Sequence, residues 1–201
     1  MLKSKRYFDT ENEKKLFSHL DSFYNKSSWD YERISDRTLQ IQGVDVIIKH
    51  KGHNYYIDEK AQTHYINKSL RTFAFELTYK NKNNEIKKGW LFDETKLTTH
   101  YFLATELMAD GKDLKNLNSF RLVSVNRRKL IEYLHSFDWN YNSLIDIYKN
   151  KKVDGNRLVL SKQNPEARLV KTQHLQEKPL NLVIVLDDLI FARVGKEIKK
   201  R

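Results

Sequence analysis

The chain has 201 residues, with 37 Lys and Arg against 26 Asp and Glu for a net charge of +11, and it contains no cysteine. This length fits a single domain. The lack of cysteine excludes a disulfide scaffold, a thiolate zinc finger and a cysteine nucleophile, so any chemistry falls to oxygen and nitrogen groups. The longest apolar run, residues 182–186, is far short of the roughly 20 residues that span a bilayer. The first six residues carry positive charge with no apolar stretch behind them, so no secretory signal is expected and the location read from the sequence is cytoplasmic. A basic excess combined with 12% aromatic residues points to a polyanionic partner, nucleic acid first, with simple solubility as the plainer alternative.

Two prolines, six glycines and no low-complexity tract give no sign of a linker or repeat. Thr10, Glu13 and the apolar stripe Leu16, Phe17, Leu20, Phe23 and Tyr24 predict a helix over residues 11–24 that opens with a capping box. Near Leu39 the period changes to that of strands. Val44, Val46 and Ile48 alternate with their neighbours, Gly52 supplies a turn, and residues 55–61 form the return strand of a hairpin. A second hairpin pairs residues 73–79 with 86–92. Strands follow at 99–105 and 120–125, then a helix opened by Asn126 and carrying Leu130, Ile131, Leu134 and Phe137. Residues 157–160, 168–172 and 181–186 read as strands, Asp187 and Asp188 as caps of a helix at 189–194, and the basic tail from Lys196 as a solvated end. The order of elements fits an α/β fold with a mixed central sheet flanked by helices.

The first hairpin carries the chemistry. If residues 50–53 form its loop, Lys49 pairs with Asn54, Ile47 with Tyr56, and Asp45 stands opposite Asp58. Opposed residues have Cβ atoms about 4.5–5.5 Å apart, and like charges there destabilise a sheet unless something compensates. A divalent cation does so, and hard oxygen donors without cysteine suit Mg²⁺ or Mn²⁺ rather than zinc. Lys60 shares the face of Asp58, and Gln62 continues it. The histidines at 50, 53, 64 and 100 have no zinc-site spacing. The plainer account makes Asp58 and Lys60 a surface ion pair, which leaves Asp45 unexplained.

The pattern Gln42-Gly43-Val44-Asp45, twelve intervening residues, then Asp58-Glu59-Lys60 resembles the PD-(D/E)xK nuclease superfamily, the restriction-endonuclease-like fold. The resemblance covers residues 10–137, with 138–201 as a strand-rich basic part of the same domain. It implies that Asp45 and Asp58 hold Mg²⁺ or Mn²⁺, that Lys60 orients the attacking water, and that a helical glutamate, Glu13, adds a ligand. Val44 stands where the family name has proline. Glu59 occupies the middle position, usually apolar, and becomes the ligand in place of Asp58 if the loop is one residue longer. The activity implied is metal-assisted phosphodiester hydrolysis by a DNA endonuclease of restriction or repair type, acting on double-stranded DNA alone or as a homodimer. Lys87, Lys88, Arg127 and Arg128 are the expected phosphate contacts. Two rival readings stand beside it: a non-catalytic nucleic-acid-binding module on the same fold, and a basic partner-binding protein in which Asp45 and Asp58 are structural.

Overall fold

The computed structural model describes residues 5–151 and 156–199, with the side chains of residues 5–11, 13 and 112 outside that description. In chain order the first elements are α1 (Lys5–Lys26), β1 (Asp30–Arg33), α2 (Arg37–Ile41), β2 (Val46–His50), β3 (His53–Ala61), β4 (Thr72–Lys80), β5 (Ile86–Lys88) and β6 (His100–Ala109). They are followed by β7 (Leu117–Asn126), α3 (Arg127–His135), α4 (Tyr141–Asn150), β8 (Arg157–Ser161), β9 (Ala167–Lys171), β10 (Leu180–Val185), α5 (Leu186–Phe191) and β11 (Gly195–Lys199). The chain groups into two compact units, residues 1–70, 98–124 and 197–201 in the first and 71–97 with 125–196 in the second.

The first unit is organised by α1. Leu16, Leu20 and Tyr24 recur every fourth residue, so they line one side of the helix. That side packs on Val46, Ile48, Ile57, Phe102, Leu107 and Leu122. The sheet has the order β1-β2-β3-β6-β7-β11. β1 and β3 each pair antiparallel with β2, whereas β3 and β6 run parallel, with Asp58 beside Tyr101 and Lys60 beside Leu103. A parallel pair needs a long crossover between its strands. Here that stretch of chain contains β4 and β5.

The second unit holds a wholly antiparallel sheet in the order β5-β4-β10-β9-β8. Phe73, Phe75 and Leu77 alternate along β4 and are buried, and Phe75 stands opposite Leu182 of β10, which in turn stands opposite Leu169 of β9, all three buried. Asn126 caps α3 by accepting from the Lys129 amide at 2.9 Å. Asn140 and Ser143 form a reciprocal capping box at the start of α4.

Both expected hairpins, the three late strands and the helix after Asn126 lie where the sequence places them. Five expectations change. The strands form two sheets rather than one central sheet. α1 begins at Lys5, so Thr10 and Glu13 lie inside it and do not start it. β5 ends at Lys88, where Gly89 comes close against the Glu76 main chain of β4. α5 begins at Leu186 with no side-chain cap, and Asp188 accepts from the Glu166 amide at 2.7 Å instead of capping a later helix. Residues 195–199 form β11 in the first sheet rather than a solvated tail, with Lys200 and Arg201 outside the described residues.

The Gly89 amide donates to the Leu77 carbonyl at 2.7 Å, and a Cβ at this position would stand 2.4 Å from the Glu76 carbonyl oxygen. Main chain cannot give way as a side chain does. Gly89→Ala should therefore lose on the order of 1–3 kcal/mol in denaturant unfolding, whereas Gly52→Ala, which meets no atom within 4 Å, should be limited to the cost of its left-handed backbone.

Candidate functional site

Asp45 is positioned by a short helix and a turn. Asp36 caps α2 by accepting from the Leu39 amide at 2.9 Å. Gly43, with φ +77°, takes the left-handed conformation that reverses the chain after the helix. Its carbonyl accepts from the Thr98 hydroxyl at 2.7 Å. The chain then enters the sheet with both backbone groups of Asp45 used: its amide donates to Ile57 and its carbonyl accepts from Ile34, each at 2.8 Å.

The hairpin adopts the expected register, with Lys49 opposite Asn54 and Ile47 opposite Tyr56. Its loop is tighter than four residues. His50 pairs with His53, leaving Lys51 and Gly52 at φ +50° and +78°, the twin positive values of a type I′ turn. At the open end, the Asp45 Oδ2 accepts from the Glu59 amide at 2.8 Å, which fixes its carboxylate against the backbone beside Asp58.

Alternation along β3 divides its acidic residues between two faces. Asp58 is only 3% exposed, so it needs a partner, and Lys60 Nζ donates to its Oδ1. Gln62 follows on the same face, where its Oε1 accepts from the Thr105 hydroxyl. Glu59 lies on the other face, toward α1. Its carboxylate accepts from Arg33 Nη1 at 2.7 Å and from the Tyr24 hydroxyl at 2.5 Å, and the same guanidinium binds Asp21 at 2.7 Å. The hairpin thus brings together Asp45, Asp58 and Lys60, with Gln62 just past the end of β3, while the Glu59 carboxylate is held on the other face by Arg33 and Tyr24. The expected fourth ligand, Glu13, is on α1, but its side chain lies outside the described residues.

Electrostatics mark the same spot. Burial pushes the Asp45 carboxyl up to about 7, with Lys60 pulling it down and the neighbouring Asp58 adding to the rise. On the Glu59 side, burial would lower the Arg33 guanidinium, but its bonds to Glu59 and Asp21 outweigh that and hold it above its ordinary value. Among the described residues no set of three or more acidic or histidine side chains converges to hold a metal. The pair offered is two carboxylates of hard oxygen. That suits Mg²⁺, which keeps several waters and is commonly held by one or two protein carboxylates.

The four expected phosphate contacts all lie in the second unit. Lys87 pairs with Glu85 at 2.9 Å, Lys88 with Glu94 at 3.1 Å and Arg128 with Glu132 at 2.7 Å, while Arg127 Nη2 donates to the Asp93 carbonyl at 2.7 Å. The sequence reading missed Tyr24, Arg33, Asp21 and Thr105. The first three hold the reverse face of β3, and Thr105 holds Gln62. Only Tyr24 carried a signal, as the last residue of the apolar stripe of α1.

Compared with known proteins, the chain matches no family model, no curated protein and no solved structure. Function is therefore argued from the site alone.

Two tests follow from this arrangement. Removing the Arg33 charge strands the Glu59 carboxylate, which is 3% exposed, and breaking a buried pair costs about 3–5 kcal/mol. Arg33→Met should destabilise by roughly that amount, and adding Glu59→Gln should recover a large part of it in denaturant unfolding. For Asp45, the folded carboxyl at about 7 lies above its unfolded value of about 4. Its contribution to stability is full below about pH 4 and is lost as pH rises through about 7. In Mg²⁺-free buffer, the melting temperature of Asp45→Asn relative to wild type should rise across that window. A constant difference would show that the Asp45 carboxyl titrates normally.

Proposed function

We propose that this chain is a metal-dependent nuclease that hydrolyses phosphodiester bonds, with DNA as the favoured substrate, on a PD-(D/E)xK arrangement of the restriction-endonuclease-like kind. The observation that carries the reading is the hairpin register that sets Asp45 beside Asp58, with Lys60 on the face of Asp58. The net charge of +11 supports a polyanionic substrate, and the mixed sheet with a helix packed on it agrees with the family at a coarser level.

Asp45 and Asp58 would hold Mg²⁺ or Mn²⁺, with Lys60 beside them and Gln62 at the edge. When bound, such an ion supplies Lewis acidity and a water of lowered pKa. The residues of the chain do the rest. The Glu59 amide fixes the Asp45 carboxylate, and fixed orientation is what a site of this kind needs. Lys60 carries three N–H donors on a flexible stem. The ammonium engages Asp58, and a positive charge at that place would orient an attacking water and stabilise charge as it develops on a phosphate oxygen. The raised Asp45 carboxyl means that cation binding and proton loss are coupled there, so affinity for the metal should increase with pH.

A second reading, a non-catalytic nucleic-acid-binding module, is favoured by one feature: the Lys60 ammonium already neutralises Asp58 without any ion. The two readings separate cleanly. Purified protein with Mg²⁺ should cut DNA, and Asp45→Asn and Asp58→Asn should each reduce the rate by about 10²-fold or more. Lys60→Met should reduce cutting while keeping the Mg²⁺-induced rise in melting temperature, which a folded-state ligand produces by mass action. A wild type that binds DNA and never cuts it would leave the binding module. An Asp45→Asn protein that cuts as fast as wild type would overturn the catalytic assignment.

A further inference from the structure

The second unit contains a cleft of about 550 Å³, within the range of about 300–1,000 Å³ typical of small-molecule sites. Its floor is apolar and aromatic. Phe92 is buried, and its ring meets Tyr141 edge-on at a centroid distance of 6.2 Å. This buttress holds the Tyr141 ring in one orientation at the first turn of α4, with Ile131 of α3 continuing the apolar surface. Such a ring, fixed from behind and half-buried, is a platform for another flat ring.

Two permanent cations line the same cleft, against one carboxylate, Glu94. Lys88 Nζ stands 5.2 Å from the centre of the Tyr141 ring and 3.1 Å from Glu94. Arg127 enters from the first turn of α3, its guanidinium steadied by the Asp93 carbonyl. Exposed ion pairs and cation–π contacts of this kind are each weak. A phosphate can therefore draw the Lys88 ammonium away from Glu94 and off the Tyr141 ring at little cost, which opens that ring to a base. His135 and Asn142 on the rim bring side-chain donors and acceptors of the type that base edges pair with.

We propose that this cleft is a nucleotide pocket, taking a base against Tyr141 and its phosphate between Lys88 and Arg127. The proposal rests on the nucleic-acid part of the function argued above and not on catalysis by Asp45. It assigns Lys88 and Arg127 to one pocket, rather than to a general grip on the backbone. It makes Tyr141, which the charge pattern does not single out, the residue that distinguishes a nucleotide from a bare anion. The same chemistry is presented by a free nucleoside 5′-monophosphate and by one unit of a single strand.

The test is calorimetric titration of the full-length protein in Mg²⁺-free buffer, where no cutting competes. The probes are nucleoside 5′-monophosphates, the matching nucleosides, inorganic phosphate, and single-stranded DNA of about eight nucleotides, a length within the usual site size of such binders. The monophosphate should bind more tightly than either the nucleoside or phosphate alone. Tyr141→Leu, which keeps apolar bulk but removes the ring, should weaken it on the order of 10-fold, and Lys88→Glu should weaken it at least as much. Lys88 is exposed on β5, so its variant decides the matter if Tyr141→Leu does not fold. Binding of the oligonucleotide well beyond that of the monophosphate, and still dependent on Tyr141, assigns the pocket to a strand. Equal binding assigns it to the free nucleotide. Phosphate binding as tightly as the monophosphate, or affinities unmoved by both variants, overturns the pocket. Mg²⁺-dependent cutting without nucleotide binding removes the pocket alone, and nucleotide binding without cutting removes the nuclease alone.

Discussion

Two carboxylates set side by side at the open end of one hairpin are the constraint around which the first unit is arranged. Opposed residues of a ladder stand about 5 Å apart, where at an effective dielectric near 20 two like charges repel by roughly 3 kcal/mol. A chain under no functional demand would be expected to replace one of them. Instead the structure spends several contacts on keeping both. Lys60 neutralises Asp58, the Glu59 amide holds Asp45, and the Asp45 carboxyl still sits near 7. Burial is the main reason that carboxyl stays so high, with Asp58 adding to it, so what remains after these compensations is an acid that holds its proton readily.

The period of two along β3 lets one strand serve two purposes without conflict. Ile57, Glu59 and Ala61 face α1, where the Glu59 carboxylate is locked by Arg33 and Tyr24. Asp58, Lys60 and Gln62 face the other way. A slip of one residue in the hairpin would exchange these sets, burying Lys60 against Leu16 and Leu20 and turning Glu59 out. The type I′ turn at Lys51 and Gly52 and the Arg33–Glu59 pair both oppose that slip. The ion pair on the reverse face is thus part of what defines the chemical face.

How far the sequence could be read follows from how local each signal is. The hairpin was legible because strict alternation, a glycine turn and a nine-residue return strand all lie within one short window. The choice between Asp58 and Glu59 was left open there, and the partners that settle it, Arg33 and Tyr24, come from segments whose sequence gave no sign of the contact. Thr10 and Glu13 have the spacing of a capping box, yet helix propensity carries α1 past them to Lys5. β1, four residues with three of them charged, and β11, in a basic tail, have no apolar alternation and are strands because a neighbouring edge pairs with them. The division of strands between two sheets is a matter of long-range pairing, such as β10 between β4 and β9, which a local pattern does not encode. The capping box at Asn140 and Ser143, followed by Leu144, is by contrast a local signal, and it marks the start of α4.

A basic excess suggests a class of partner without naming the residues that would meet it. Each of the four cations expected at phosphates has an intrachain partner, a carboxylate for Lys87, Lys88 and Arg128 and a main-chain carbonyl for Arg127. These partners do not cancel a binding role. Exposed ion pairs contribute little to stability, so exchanging Glu94 for a phosphate costs little in folding. The difference between a solvated lysine and a recognising one then lies in what stands beside it. For Lys87 and Arg128 that is one exposed acid, whereas for Lys88 and Arg127 it is an aromatic wall that a phosphate's own base can cover.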